Sequence, residues 1–150
     1  MPRRTWSDMP DLPDVNVWLA LAADGHEHHL RAKQYWELEA ASVLVFCRVT
    51  QLAFLRHLTN PAIMTKAVLS PAAAWAKYRD FASLPEIQFY GEPPQLDDWL
   101  LRFSDIGRTS PNLWTDAYLA GFAKAASLRF VSFDTGFKRF AGLETLILKR

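Results

Sequence analysis

Three aspartates, Asp14, Asp116 and Asp134, sit in or at the end of strongly apolar segments, where a charge is hardest to accommodate. Leu12-Pro13-Asp14-Val15 and Val131-Ser132-Phe133-Asp134 both place an acid where burial favours an apolar residue. Three carboxylates gathered at one place repel one another unless a proton or a cation lies among them. Oxygen-only donors suit magnesium or manganese, which keep water ligands and engage phosphates. Taken singly, each aspartate is explained as well by a helix cap, a turn or a solvated charge. The chemistry therefore depends on whether the elements carrying them bring them to a shared edge.

A strand is expected over Leu12 to Asp14, followed by an almost polar-free helix over Val15 to Ala23. His26 to Ala41 reads as a polar amphipathic helix, with Leu30, Lys33/Gln34 and Glu37/Leu38 along one face and Trp36 as an anchor. Ser42 to Cys47 is a β-branched and aromatic run suited to a buried parallel strand, leading into a helix over Val49 to Leu58 that Asn60-Pro61 stops. Ser70-Pro71 and Ser110-Pro111 each set a capping hydroxyl before a proline at the first helical position. Between them lie a strand, Glu86 to Tyr90, and a helix, Gln95 to Ile106. The last third predicts a helix through Asn112 to Ser127, a strand over Arg129 to Phe133, a turn at Asp134-Thr135-Gly136, a short helix and a strand over Thr145 to Leu148.

This alternation implies an α/β fold: a three-layer α/β/α domain with a mostly parallel twisted sheet and a ligand crevice at the carboxyl ends of the strands. Asp14 and Asp134 then project from one sheet edge. Asp116, about two turns into a helix begun at Ser110, is able to point at it.

With 150 residues, half of them apolar, one domain over 1–150 is expected, with residues 1–10 as a loose N-terminal tail. That tail carries Arg3 and Arg4 but lacks the apolar stretch of a signal peptide. No run of about 18 apolar residues occurs, so no membrane span is expected. The single cysteine, Cys47, lies in an apolar run as a small buried thiol, and a reducing cytoplasm is the natural setting. Because 17 basic residues nearly balance 16 acidic ones, any anionic partner must be met by a local patch.

Several motifs carry a resemblance along nearly the whole chain. Leu12-Pro13-Asp14-Val15-Asn16-Val17-Trp18-Leu19-Ala20 is similar to the opening motif of the PIN-domain ribonucleases of the VapC toxin family. His26-Glu27-His28-His29 with Ala32 and Trp36, and Thr50-Gln51-Leu52-Ala53-Phe54-Leu55-Arg56 ending at Thr59-Asn60-Pro61, resemble the next segments of one VapC branch. Trp114-Thr115-Asp116-Ala117-Tyr118-Leu119-Ala120 and Val131-Ser132-Phe133-Asp134-Thr135-Gly136-Phe137 match the third and fourth motifs. Four motifs in order are specific where each alone is not.

The resemblance implies a metal-dependent endoribonuclease in which Asp14, Asp116 and Asp134 are catalytic and bind one or two Mg2+ or Mn2+ ions, with Ser132 as the hydroxyl that precedes the last aspartate. It implies a structured RNA substrate (transfer or ribosomal RNA), arrest of translation, a cognate VapB-type antitoxin and a homodimer. There is one departure. The wider family carries a glutamate near the start of the helix after the second strand, and this stretch offers Gln51, whose amide supplies no charge.

Other residues support the site. Asn16 is placed either to hold a carboxylate or to start a helix. Arg56 is suited to an RNA phosphate or an antitoxin carboxylate, and Lys138 and Arg139, one helical turn after Asp134, to steering RNA. His26, His28 and His29 lack the further partners of a structural zinc site, which favours a surface or supporting role. Trp75, Tyr78 and Phe81, at spacing of three, form a candidate apolar face for a homodimer or antitoxin. Two rival readings stand: a small metal-dependent nuclease or phosphatase on another phosphoester, and a PIN-fold RNA-binding module that has lost catalysis.

Overall fold

Short apolar runs bounded by turn residues become five strands: β1 (Asp11–Pro13), β2 (Leu44–Phe46), β3 (Ile87–Phe89), β4 (Arg129–Ser132) and β5 (Thr145–Ile147). The computed structural model describes residues 9–150, so nearly all of the expected N-terminal tail lies outside the described residues. The strands form one sheet in the order β3-β2-β1-β4-β5, with every neighbouring pair parallel. Parallel neighbours require crossovers. These are built from α1 (Val15–Ala22), α2 (His29–Gln34), α3 (Arg48–Leu58), α4 (Pro61–Met64), α5 (Pro71–Ala82), α6 (Leu96–Ser104) and α7 (Leu113–Ala125). From β1 the chain moves outward to β2 and β3, then returns to the other side of β1 as β4. The reversal puts the topological switch point between β1 and β4, where open α/β sheets bind ligands.

Alternate strand residues feed two cores, the signature of a sheet covered on both faces. Leu44, Phe46 and Val131 join Trp18, Phe54 and Tyr78 under α1, α3 and α5. Leu12, Val45 and Phe130 join Phe103, Ala120 and Phe122 under α6 and α7. Trp18 stacks on Phe46 with ring centroids 4.0 Å apart.

The strand order and the longer helices match the sequence reading, with four local differences. Asn60-Pro61, expected only to stop α3, starts α4, with Asn60 Oδ1 accepting from the Ala62 amide at 2.9 Å. The helix expected from His26 starts at His29, runs on as a single π turn over Tyr35–Glu39 and ends there. Its Leu30 and Leu38 are exposed, while Ala32 and Tyr35 are buried, because the Tyr35 hydroxyl donates to Asp11 at 2.6 Å. Ser70 caps α5 as expected, accepting from the Ala73 amide at 3.1 Å. Ser110 caps nothing: residues 111–112 form a turn and α7 begins at Leu113, so Asp116 stands in its first turn rather than two turns in. In α5, Tyr78 is buried and Phe81 packs edge-on against Trp18 and Phe54, leaving Trp75 as the exposed aromatic of the three. The expected docking face is therefore mostly core. No helix among the described residues is long and apolar enough to cross a membrane.

β1 carries an acid at each end. Asp11, at the amino end, is fully buried and accepts from Arg129 Nε at 2.7 Å, Arg129 Nη2 at 2.9 Å, the Tyr35 hydroxyl and the Ala41 amide. Such a buried carboxylate is tolerated because cation and donors meet it together. The clamp fixes β1, β4 and the end of the α2 segment relative to one another. The acid at the opposite end, Asp14, is held in another way.

Candidate active site

Asp14 follows the last residue of β1 and caps α1. Its Oδ1 accepts from the Val15 amide at 2.8 Å, and its Oδ2 accepts from the Ser132 hydroxyl at 2.8 Å. Its own amide donates to Val131 O at 2.7 Å, locking the ends of β1 and β4 together. Cap and candidate ligand are thus one residue. Burial pushes the Asp14 carboxyl up to about 6, the Ser132 and Val15 donors oppose the rise, and the charges of Asp116 and Asp134 add to it. All three aspartates therefore share one electrostatic neighbourhood.

Ser132 is the hub of this edge. Buried at the end of β4, its Oγ donates to Asp14 and accepts from Asn16 Nδ2 at 3.3 Å and from the Asp134 amide at 3.0 Å. One hydroxyl has one donor and two acceptor positions, so this set uses it completely. Asn16 spans the same gap, its Oδ1 accepting from the Phe133 amide at 3.5 Å. Asp134 caps the short 3-10 turn Thr135–Arg139, accepting from the Gly136 amide at 2.8 Å.

Asp116 comes from the other layer. An acid in the first turn of α7 suits the positive end of the helix dipole. Its Oδ2 accepts from Arg139 Nη2 at 3.0 Å, and Arg139 Nη1 donates to Gly136 O at 2.7 Å. Arg139 lies over the Phe140 ring at 4.4 Å. The sequence reading aimed Arg139 at RNA and did not foresee this pair.

Gln51 is not brought to the carboxylates. It is buried, accepts from Arg48 Nη1 at 2.5 Å and lies beside the Tyr78 hydroxyl. The α3 residues that line the cleft with Asp14 and Asp116 are Val49, Thr50, Ala53, Arg56 and His57, so α3 supplies no carboxylate there. Arg56 does stand at the site, and His57 beside it was missed by the sequence reading. On the other side, a groove of about 740 Å³ holds Asn16, Asp134 and Lys138 with Lys149 and Arg150 at its rim. A third hollow joins Asp116 and Arg139 to Arg108. The nearly neutral chain thus concentrates cations around an acidic centre. His28 stacks on Phe133 at 4.9 Å, and His26 Nδ1 accepts from the His28 amide at 3.0 Å, so these histidines brace the loop before α2.

The donor chemistry fits a hard divalent cation, since carboxylate, hydroxyl and amide oxygens are what magnesium and manganese take. Burial raises the Asp14 pKa most, and the charges of Asp116 and Asp134 add to it, which places the three carboxylates within electrostatic reach of one another. Yet among the described residues no three His, Cys, Asp or Glu side chains are gathered closely enough to hold an ion as they stand. Arg139 holds Asp116, and Gly136 holds Asp134.

Comparison with known proteins points one way. The family model of the PIN domain matches residues 12–143. A Mycobacterium tuberculosis protein named ribonuclease VapC41 is 38% identical over 145 residues, covering 93% of this chain and 99% of the relative. Ribonuclease VapC38 of the same organism is 32% identical over 126 residues, covering 83% and 85%. Among solved structures, VapBC2 from Rickettsia felis bound to a promoter DNA fragment superposes with a TM-score of 0.67 at 11% identity, covering 94% of this chain and all of that one. Mycobacterium tuberculosis VapC20, described as a sarcin-ricin loop cleaving toxin, superposes with a TM-score of 0.62 at 18% identity, covering 88% and 95%.

Proposed function

The chain belongs to the PIN-domain family, in its VapC branch, and from that premise we propose that it is the ribonuclease toxin of a toxin–antitoxin pair, hydrolysing a phosphodiester of structured RNA with Mg2+ or Mn2+. The observation that carries this reading is the Ser132 hub, which binds Asp14, Asn16 and the Asp134 amide at the switch point, with Asp116 close enough to raise the Asp14 pKa.

Asp14, Asp116 and Asp134 would hold the cation, with Ser132 fixing Asp14 and Asn16 bracing Ser132 and the Phe133 amide behind it. When bound, it would supply Lewis acidity at the scissile phosphate and lower the pKa of a water, so that hydroxide is available near neutral pH. The chain's own groups do the rest. Arg56 on one flank and Lys138 on the other attract the phosphate chain and set it across the carboxylates. Ser132 keeps Asp14 ionisable despite its burial by donating to the charged form.

A structured-RNA substrate, transfer or ribosomal RNA, belongs to this proposal; the description of VapC20 as a sarcin-ricin loop cleaving toxin favours a folded RNA, and the VapBC2 complex favours a VapB-type antitoxin. A homodimer in the cytoplasm completes the reading. The test of substrate is cleavage of a structured RNA against DNA of the same sequence: cutting RNA alone supports it, and cutting both equally favours a general phosphodiesterase. A second reading, an RNA-binding module without catalysis, draws on the apolar Ala53 in the cleft and on the Asp116–Arg139 pair. RNA binding without cleavage at any metal concentration would establish it.

A further inference from the structure

Arg139 is built into its position on three sides. Nη1 donates to Gly136 O at 2.7 Å, the guanidinium covers the Phe140 ring, and Nη2 donates to Asp116 Oδ2 at 3.0 Å. Gly136 suits this packing. A Cβ there would lie 3.0 Å from Arg139 Nη1 and 3.0 Å from Asp134 Oδ1, so a side chain at this position would push on both partners. The Gly136 peptide thereby links two of the three carboxylates: its N–H donates to Asp134, and its carbonyl seats the arginine that holds Asp116.

We infer that Arg139 is a placeholder cation, neutralising Asp116 while the site is empty and yielding its oxygen when a divalent ion enters. The inference rests on the metal reading above. Three like charges in a half-buried crevice oppose folding, and one guanidinium on Asp116 offsets part of that repulsion. A divalent ion and a guanidinium on the same carboxylate repel each other, so the two occupancies compete. With Nη1 and the ring contact retained, Arg139 loses one bond on release and stays at the rim beside Arg108. This explains why the acids share an edge yet do not close into a ligand set.

The experiment is calorimetric titration of Mn2+ into the full chain without RNA, with thermal denaturation in chelator and in Mn2+, for the parent, Arg139→Gln and Arg139→Lys. Arg139 is partly exposed, which discounts the electrostatic effect. Arg139→Gln is expected to bind Mn2+ about threefold to tenfold tighter than the parent. It should melt lower in chelator and gain more on adding the ion. Arg139→Lys keeps the charge but replaces the two guanidinium nitrogens that meet Gly136 and Asp116 with one ammonium, so it should bind Mn2+ between the parent and Arg139→Gln. Equal binding by parent and Arg139→Gln overturns the placeholder and reduces the pair to a surface contact. Weaker binding by Arg139→Gln overturns it in favour of an orienting role. If no form binds Mn2+, the metal reading itself fails and takes this inference with it.

Discussion

Ser132 donates its hydroxyl to Asp14 at 2.8 Å across 118 positions of sequence, and the same oxygen accepts from the Asp134 amide two residues on. This one side chain ties the Asp14 carboxylate, at the end of β1, to the backbone from which Asp134 projects after β4.

Ser132→Ala should therefore cost about 1–3 kcal/mol, because Asp14 Oδ2 loses a buried partner and Asn16 Nδ2 and the Asp134 amide lose a part-buried one. Denaturant unfolding in chelator measures it. A change within about 0.5 kcal/mol, ordinary for a surface substitution, would mean that water replaces the hydroxyl without loss.

Acid should stabilise the metal-free protein through Asp14. Its folded pKa of about 6 lies above the ordinary carboxylate value of 3.8, so between those pH values the folded state holds a proton that the unfolded state releases. The stability contribution of this group falls as pH rises through that window. Asp14→Asn removes the titration while leaving an oxygen for the Val15 amide. In chelator, the variant should gain on the parent as pH climbs from 4 to 7, by up to about 3 kcal/mol. A gap that does not change with pH would show that Asp14 titrates normally.

The two polar or small positions of α3 should respond differently to a new acid. Gln51→Glu, set against Arg48 and Tyr78, should leave Mn2+ affinity unchanged, whereas Ala53→Glu lines the cleft with Asp14 and Asp116 and should raise it. Mn2+ titration of both variants checks the placement. A response at position 51 and none at 53 would reverse the assignment.

Removing the aromatic parts of α5 should separate core from surface. Tyr78→Ala, at a buried position beside Phe46, should lose about 3 kcal/mol, and Trp75→Ala, exposed, under about 1 kcal/mol. Urea unfolding of the two variants decides whether α5 is scaffold. Equal small losses would return its aromatic face to the list of docking surfaces.

The order of strands and helices was legible because hydrophobic period and proline caps are local signals. Asp14 and Asp134 were legible for the same reason, each a charge at the end of an apolar strand. What was hidden depends on side-chain directions set by distant partners. Trp36 packs against the core beside Phe81 as expected, but the fully buried Tyr35 was not foreseen, because it is Asp11 that takes its hydroxyl. Gln51 faces away because Arg48 and Tyr78 take its amide. Arg139 reads as a free surface cation until Gly136 and Asp116 are seen to seat it. The Asp11–Arg129 clamp joins residues 118 positions apart and left no local pattern to read.

The most direct measurement is cleavage of a structured RNA by the purified chain in chelator, after Mn2+ is restored, and by Asp14→Asn and Asp116→Asn under both conditions. We expect no cleavage in chelator, full recovery with Mn2+, and no recovery in either variant while both remain folded. Full activity of the parent in excess chelator, or cleavage by the two variants at the parental rate, would contradict a metal-dependent ribonuclease built on these aspartates.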